Sequence, residues 1–196
     1  MAMTYIASSF RRGTCVLGIL LSAVLLAGCD SGSSDPIVLN DPLTPTEATF
    51  EFAYSEADLS GGVIQATSLA RDQLSNVIST YGYSRSDVVS ATVEEVTMER
   101  LSAAQPSAQP KVFNYLAAAE VYFGSSTSAP LIAVLDPVPF NTEVSMDLGP
   151  GTNVTSAVQG GATNALLVLD VGDPSQIGAG GDRVEVTIEF RVEVQP

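Results

Sequence analysis

Asp182-Arg-Val-Glu-Val-Thr-Ile-Glu-Phe-Arg-Val-Glu-Val194 decides the fold. Val184, Val186, Ile188, Phe190, Val192 and Val194 fall on one parity, and Arg183, Glu185, Thr187, Glu189, Arg191 and Glu193 on the other. Side chains alternate across a strand, so this period predicts a long β-strand with one face in a core and one in water. Thr49 to Tyr54 has the same pattern, with Phe50, Phe52 and Tyr54 on one side. Val89 to Leu101 alternates as well, but its phase changes at Glu94-Glu95. An extra residue in one strand has that effect, so the change suggests a β-bulge, or else a strand buried differently along its length.

The other segments differ in how many of their faces are apolar. Ala165 to Leu169 is an unbroken apolar run, as in a central strand covered on both sides. Ala119 to Phe123 and Leu131 to Leu135 are short apolar strands. Glu143 to Leu148 alternates as one strand, with Val144, Met146 and Leu148 together. One segment has helical spacing: Ala70, Leu74, Val77, Ile78 and Tyr81 predict a helix over 68–81, with Ser68 as N-cap and Gly82 as its stop. Ser102 to Pro110 is a loop, and Val112 to Leu116 is expected to form a helical turn.

About seven strands, one helix and frequent turn signals predict a mainly β fold. The expected architecture is an antiparallel β-sandwich with one helix inserted after its first strand. An α+β sheet with the helix on one face is the alternative. Phe50, Phe52, Tyr54, Val184, Ile188 and Phe190 are the expected core.

The beginning of the chain has a different character. Arg11 and Arg12 precede an apolar stretch, Gly13 to Leu26, which ends in Leu26-Ala27-Gly28-Cys29. That stretch is shorter than the ~20 residues a spanning helix needs. Basic, apolar and small-residue parts in this order form an export signal. The ending resembles the lipobox of bacterial lipoprotein signal peptides. The resemblance implies cleavage after Gly28, a diacylglycerol on the Cys29 thiol that anchors the chain to the cell envelope, and a freed Cys29 amine open to acylation (palmitate) as well. Two or three acyl chains hold a protein stably, where one is marginal. The pair after Arg11-Arg12 is Gly13-Thr14, which favours the general export route over a twin-arginine one. Asp30 resembles an inner-membrane retention mark, but only in some bacterial groups, so the choice of membrane stays open.

The expected organisation is therefore a signal peptide over 1–28, a flexible tether over 29–46 and a single domain over 47–196. Ser31, Gly32, Ser33, Ser34, Pro36, Pro42 and Pro45 make the tether. A first edge strand at Ile37–Leu39 is the other reading of that segment.

Composition excludes more than it assigns. The chain has 8 basic and 22 acidic residues. Only Arg11 and Arg12 among these lie in the first 28 residues, so the remainder carries a net charge of −16. That charge opposes binding to nucleic acid or to anionic lipid. Lys111 is the only lysine, which fits a saline habitat or an Arg-for-Lys genome bias equally well. With Cys15 in the signal and Cys29 acylated, no thiol remains for a disulfide, a metal or a nucleophile. The chain has no histidine, which removes Ser-His-Asp chemistry and His-bound zinc.

Three side-chain groups are candidates for chemistry. Asp170, Asp173 and Asp182 bracket the loop Gly178-Ala-Gly-Gly181 and are the candidate ligands for Ca²⁺, the one cofactor considered; an ordinary hairpin loop is the competing reading. The loop lacks the phosphate-binding glycine patterns. Glu94, Glu95 and Glu99 on one strand suggest a carboxylate pair, but adjacent strand residues face apart, so a solvated face is expected. Tyr81, Tyr83, Tyr115 and Tyr122 suggest a sugar platform or, more simply, core packing. Asn153-Val-Thr155 is a chance glycosylation sequon.

The sequence points to a non-catalytic, lipid-anchored envelope protein acting as a binding or structural-interaction module. It would be held to the membrane by its lipid and partnered by another envelope protein or ligand. A carrier or chaperone for an apolar ligand or lipid is the alternative. A carboxylate- or metal-dependent enzyme is the third reading.

Overall fold

The structure, a computed structural model, describes residues 35–39, 46–68, 73–101, 112–177 and 180–195. In chain order its elements are β1 (Ile37–Leu39), β2 (Glu47–Tyr54), β3 (Val63–Thr67), α1 (Gln73–Thr80), β4 (Val88–Leu101), β5 (Leu116–Tyr122), β6 (Leu131–Leu135), β7 (Glu143–Ser145), β8 (Asp147–Leu148), α2 (Thr155–Gln159), β9 (Leu166–Val171) and β10 (Asp182–Val194). Two antiparallel sheets of five strands each form a β-sandwich-like arrangement. In the first sheet β10 lies between β4 on one side and β1 and β2 on the other, and β7 extends β4. The second sheet runs β3-β9-β5-β6-β8.

The predicted parities hold. Along β10 every even-numbered residue is buried. Its partners across the ladder are buried too, Phe52 opposite Val184 and Phe50 opposite Val186 on β2, and Met98 and Val96 on β4. The phase change in β4 is a bulge: Glu189 pairs with Glu95 and Phe190 with Val93, leaving Glu94 as the extra residue. In the second sheet the inward rows are Ile64–Leu169–Ala119–Leu135 and Ala66–Leu167–Val121–Ala133. Phe123, which follows β5, wedges between sheets: its ring meets Phe50 edge-on at 6.3 Å and Phe190 at 5.5 Å.

The outward rows of the second sheet lie beside these. One runs Gln65–Val168–Glu120–Val134–Asp147 across all five strands. Another runs Thr67–Leu166–Tyr122–Leu131.

The structure revises several expectations. Strand count rises from about seven to ten. Two of the added strands are β1 and β3, and the third comes from 143–148, expected as one strand and found as two. Val144 on β7 pairs with Met98 in the first sheet, while Asp147 and Leu148 on β8 pair with β6 in the second. The chain crosses between sheets at Met146, so Leu148 ends up 46% exposed and not on a shared buried face. Ile37–Leu39, inside the expected tether, is an edge strand on the Val192–Val194 end of β10. Ser68 ends β3's pairing, and the first turn of the helix it is expected to cap lies outside the described residues. The Ser68 N–H donates to Ala165 O and its hydroxyl accepts from Ala165 N–H, prolonging the β3–β9 ladder. Residues 69–72, with Ala70, lie outside the described residues, as does the loop from Ser102 to Pro110. The helical turn expected at Val112–Leu116 is a turn leading straight into β5.

Helix α1 follows β3, not the first strand, and packs against β2. Leu74 and Ile78 are buried, four residues apart on one face. Gly82, at φ +82°, ends it: Gly82 N–H donates to Ser79 O and Tyr83 N–H to Ile78 O, the paired bonds of a left-handed glycine stop. The Gln73 side chain both donates to Thr49 O at 2.8 Å and accepts from Thr49 N–H at 2.7 Å, so it occupies a pair of free groups on the edge of β2. The sequon residues anchor α2. Asn153 Oδ1 accepts from the Thr155 hydroxyl and N–H, and Thr155 Oγ1 accepts from Ala91 N–H on β4. No helix among the described residues is long and apolar enough to cross a membrane.

Because Phe123 fills space that both sheets line, Phe123→Ala should remove about 3–5 kcal/mol of stability, the usual loss for a fully buried aromatic. Urea unfolding would show it as a lower midpoint with an unchanged slope.

Candidate functional site

At the end of the sandwich where β10 begins, polar side chains point inward. Arg100 pairs with Val184 across the β4–β10 ladder, and Asp182 with Tyr54 across β2–β10. All four positions have the inward parity, so the charged pair faces the core. Arg100 Nη2 donates to Asp182 Oδ2 at 2.7 Å and to Oδ1 at 3.0 Å, with the Asp182 side chain 2% exposed. Arg100 Nη1 donates to Val112 O at 2.6 Å. Its guanidinium carbon lies 4.7 Å from the centre of the Tyr115 ring, within range of a cation–π contact. The Tyr115 and Tyr54 hydroxyls hydrogen-bond to each other. Tyr54 belongs to the first sheet and Tyr115 leads into the second, so this cluster ties the two layers. Burial pushes both tyrosine hydroxyls above their ordinary pKa, and in Tyr115 the neighbouring Tyr54 pushes it further.

Beside the cluster lies an open cleft of about 340 Å³, lined by Tyr54, Ser55, Asp58, Gly181 and Arg183 among others. Gly181, at φ +79°, lets the chain pass under β2. A Cβ there would lie 2.6 Å from Tyr54 O.

The three candidate Ca²⁺ ligands, Asp170, Asp173 and Asp182, point in different directions. Asp182 turns inward to Arg100. Asp173 is exposed and accepts from the Ser175 hydroxyl and N–H, closing a 3-10 turn, and the hydroxyl bond holds its carboxyl below the usual carboxylate range. Asp170 faces outward on β9, opposite Val63. Among the described residues no three Asp, Glu, Cys or His side chains converge as a metal-binding group. Gly178-Ala179 and Cys29 lie outside the described residues.

Nor do the tyrosines form a platform. Tyr115 is 1% exposed, Tyr81 and Tyr83 pack on the core, and Tyr122 lies outward, donating to Glu120 Oε2 at 2.7 Å. Glu94, Glu95 and Glu99 are exposed, as the solvated-face reading expects.

Register adds an arrangement that the sequence did not disclose. On the outer face of the first sheet, Glu51–Glu185–Glu99–Glu143 stand side by side on four neighbouring strands. Two rows along, Glu47–Glu189–Glu95 repeat the pattern, with Thr49–Thr187–Thr97–Ser145 between. Like charges directly opposite each other oppose pairing. Arg183, 2.7 Å from Glu51, relieves one row at its end.

No protein-family model matches the chain, and no curated protein matches it in sequence. Fold and geometry together define an acidic two-sheet β-sandwich domain with a polar latch at one end.

Two outcomes follow from the latch. Arg100→Met leaves Asp182 buried without a partner and should lower stability by about 3–5 kcal/mol; adding Asp182→Leu to it should restore most of that loss in thermal or urea melts. The tyrosines give an alkaline limit. Their folded-state pKa values lie above the unfolded value near ~10, so stability is complete below that pH and falls as pH rises past it. Urea midpoints at pH 8 and pH 11 (both chosen to straddle the unfolded value) should differ for the wild type and differ less for Tyr54→Phe.

Proposed function

We propose that the chain is a lipid-anchored cell-envelope protein whose sandwich is a non-catalytic binding or structural-interaction module. The observation that carries the anchor is Leu26-Ala27-Gly28-Cys29 at the end of a short apolar stretch behind Arg11-Arg12. Seven residues, Asp30 to Pro36, separate Cys29 from Ile37, the first residue paired in the sheet. A flexible segment of that length reaches roughly 15 Å.

Support for a binding module comes from the outward faces of the sheets, which differ in chemistry: glutamate and threonine rows on the first, and on the second half-buried valine and leucine positions interleaved with Gln65, Glu120 and Asp147. A carrier for an apolar ligand or lipid would need space between α1 and a sheet, where Leu74 and Ile78 are packed into the core.

Expression with a clickable palmitate analogue tests the anchor. The wild-type chain should take up the label and sediment with the envelope, whereas Cys29→Ser should be unlabelled and soluble. An unlabelled wild type, or a Cys29→Ser chain that sediments equally, would reject the reading.

A further inference from the structure

The strands of the second sheet carry a pattern that the sandwich satisfies on one side only. Ala165–Leu169 and Leu131–Leu135 are unbroken apolar runs, the pattern of strands covered on both faces. Leu167, Leu169 and Ala133 are buried in the core. Their neighbours Val168, Val134 and Leu131 point outward and are half-buried, while Leu166 in the adjoining outward row is buried. Among the described residues the helices pack on the other layer: α1 against β2 and α2 against β4, both in the first sheet. The first sheet shows the contrast, since β10 alternates strictly and puts charge or threonine at each outward position.

Charge on the second sheet has one sign. Its five strands contain Glu120, Asp147 and Asp170 and no Lys or Arg. Glu120 sits between Val168 and Val134 in the central outward row, its carboxylate held on the sheet surface by the Tyr122 hydroxyl. Asp147 and Asp170 are exposed at the margins of the apolar area. An apolar centre with a charged border is the anatomy of a protein-binding surface. Two copies meeting face to face would set these carboxylates against their own kind, and an anionic lipid surface would meet the same repulsion.

We propose that this face docks a partner-protein segment whose aliphatic side chains cover Val168, Val134 and Leu131 and whose Lys or Arg side chains pair with Glu120, Asp147 and Asp170. The proposal rests on the binding-module reading and not on the lipid anchor.

The purified full chain is titrated with a fluorescent peptide of alternating Leu and Lys, and with a Ser–Lys peptide of equal charge. The Leu–Lys peptide should bind at least ~10-fold more tightly, a difference of ~1.4 kcal/mol, and should shift the amide resonances of β5, β6 and β9. Val168→Lys should weaken it at least ~10-fold. Asp147→Lys, on an exposed edge, tests the border should Val168→Lys unfold the domain, and should weaken it severalfold. Glu185→Lys, on the other sheet, should leave binding of this peptide unchanged. Equal binding of the two peptides, resonance shifts confined to the first sheet's glutamate rows, or self-association of the wild type abolished by Val168→Lys would each overturn the proposal. If the titration fails while Cys29-dependent envelope attachment persists, the docking face is rejected and the anchored module stands.

Discussion

The alternation of β10 is the constraint on which the other elements depend. Its thirteen residues pair with β4 along one side and with β1 and β2 along the other. A shift of one residue would carry Val184, Val186, Ile188 and Phe190 into water and bring Glu185 and Glu189 inside, so the register has no close competitor. Fixed register then places the rest. It aligns Phe50 and Phe190 where Phe123 can meet both, and it forces the bulge at Glu94 so that both halves of β4 keep their apolar side inward. It also puts Asp182 opposite Tyr54 and brings Arg100 beside it.

What could be read in advance follows from how local each signal is. β10, β2 and the bulge in β4 were legible because period-two alternation over several residues belongs to the strand itself. Gly82 was legible because a helix needs a left-handed residue to stop there. β8 was not, because two residues carry no period, and β1, at three residues, was legible only as the alternative to a tether. The 143–148 segment misled for a different reason: its alternation is real, but the chain changes sheets at Met146. Asp182 was placed on a loop rim as a candidate calcium ligand, although it shares the parity of Val184; Arg100 shares that of Val96 and Met98. Extending each strand's parity by one more inward position would have found the buried pair. The glutamate rows needed the cross-strand register, which no single segment contains. The Cys29 assignment rests on sequence alone.

The two outward faces give the molecule different surfaces on its two layers. The first sheet faces outward with like-charged rows whose self-repulsion opposes folding, and its exposed apolar side chains, Ile37, Val38 and Val89, lie at the end where β1 pairs, away from those rows. The second sheet has apolar residues left over. Its core-facing rows are complete, yet Val168, Val134 and Leu131 remain outside with only carboxylates for charged company. The half-buried apolar positions on this outer face are what the proposed docking surface is built from.

The central structural claim is that the two sheets fold as one unit, joined by Phe123 and by the Tyr54–Tyr115–Arg100–Asp182 latch. Native-state hydrogen exchange tests it most directly. The account predicts that core amides of β10 in the first sheet and of β9 in the second exchange with the same free energy, equal to that of global unfolding. Exchange of the β9 amides through a separate opening of markedly lower free energy, with β10 still protected, would contradict it.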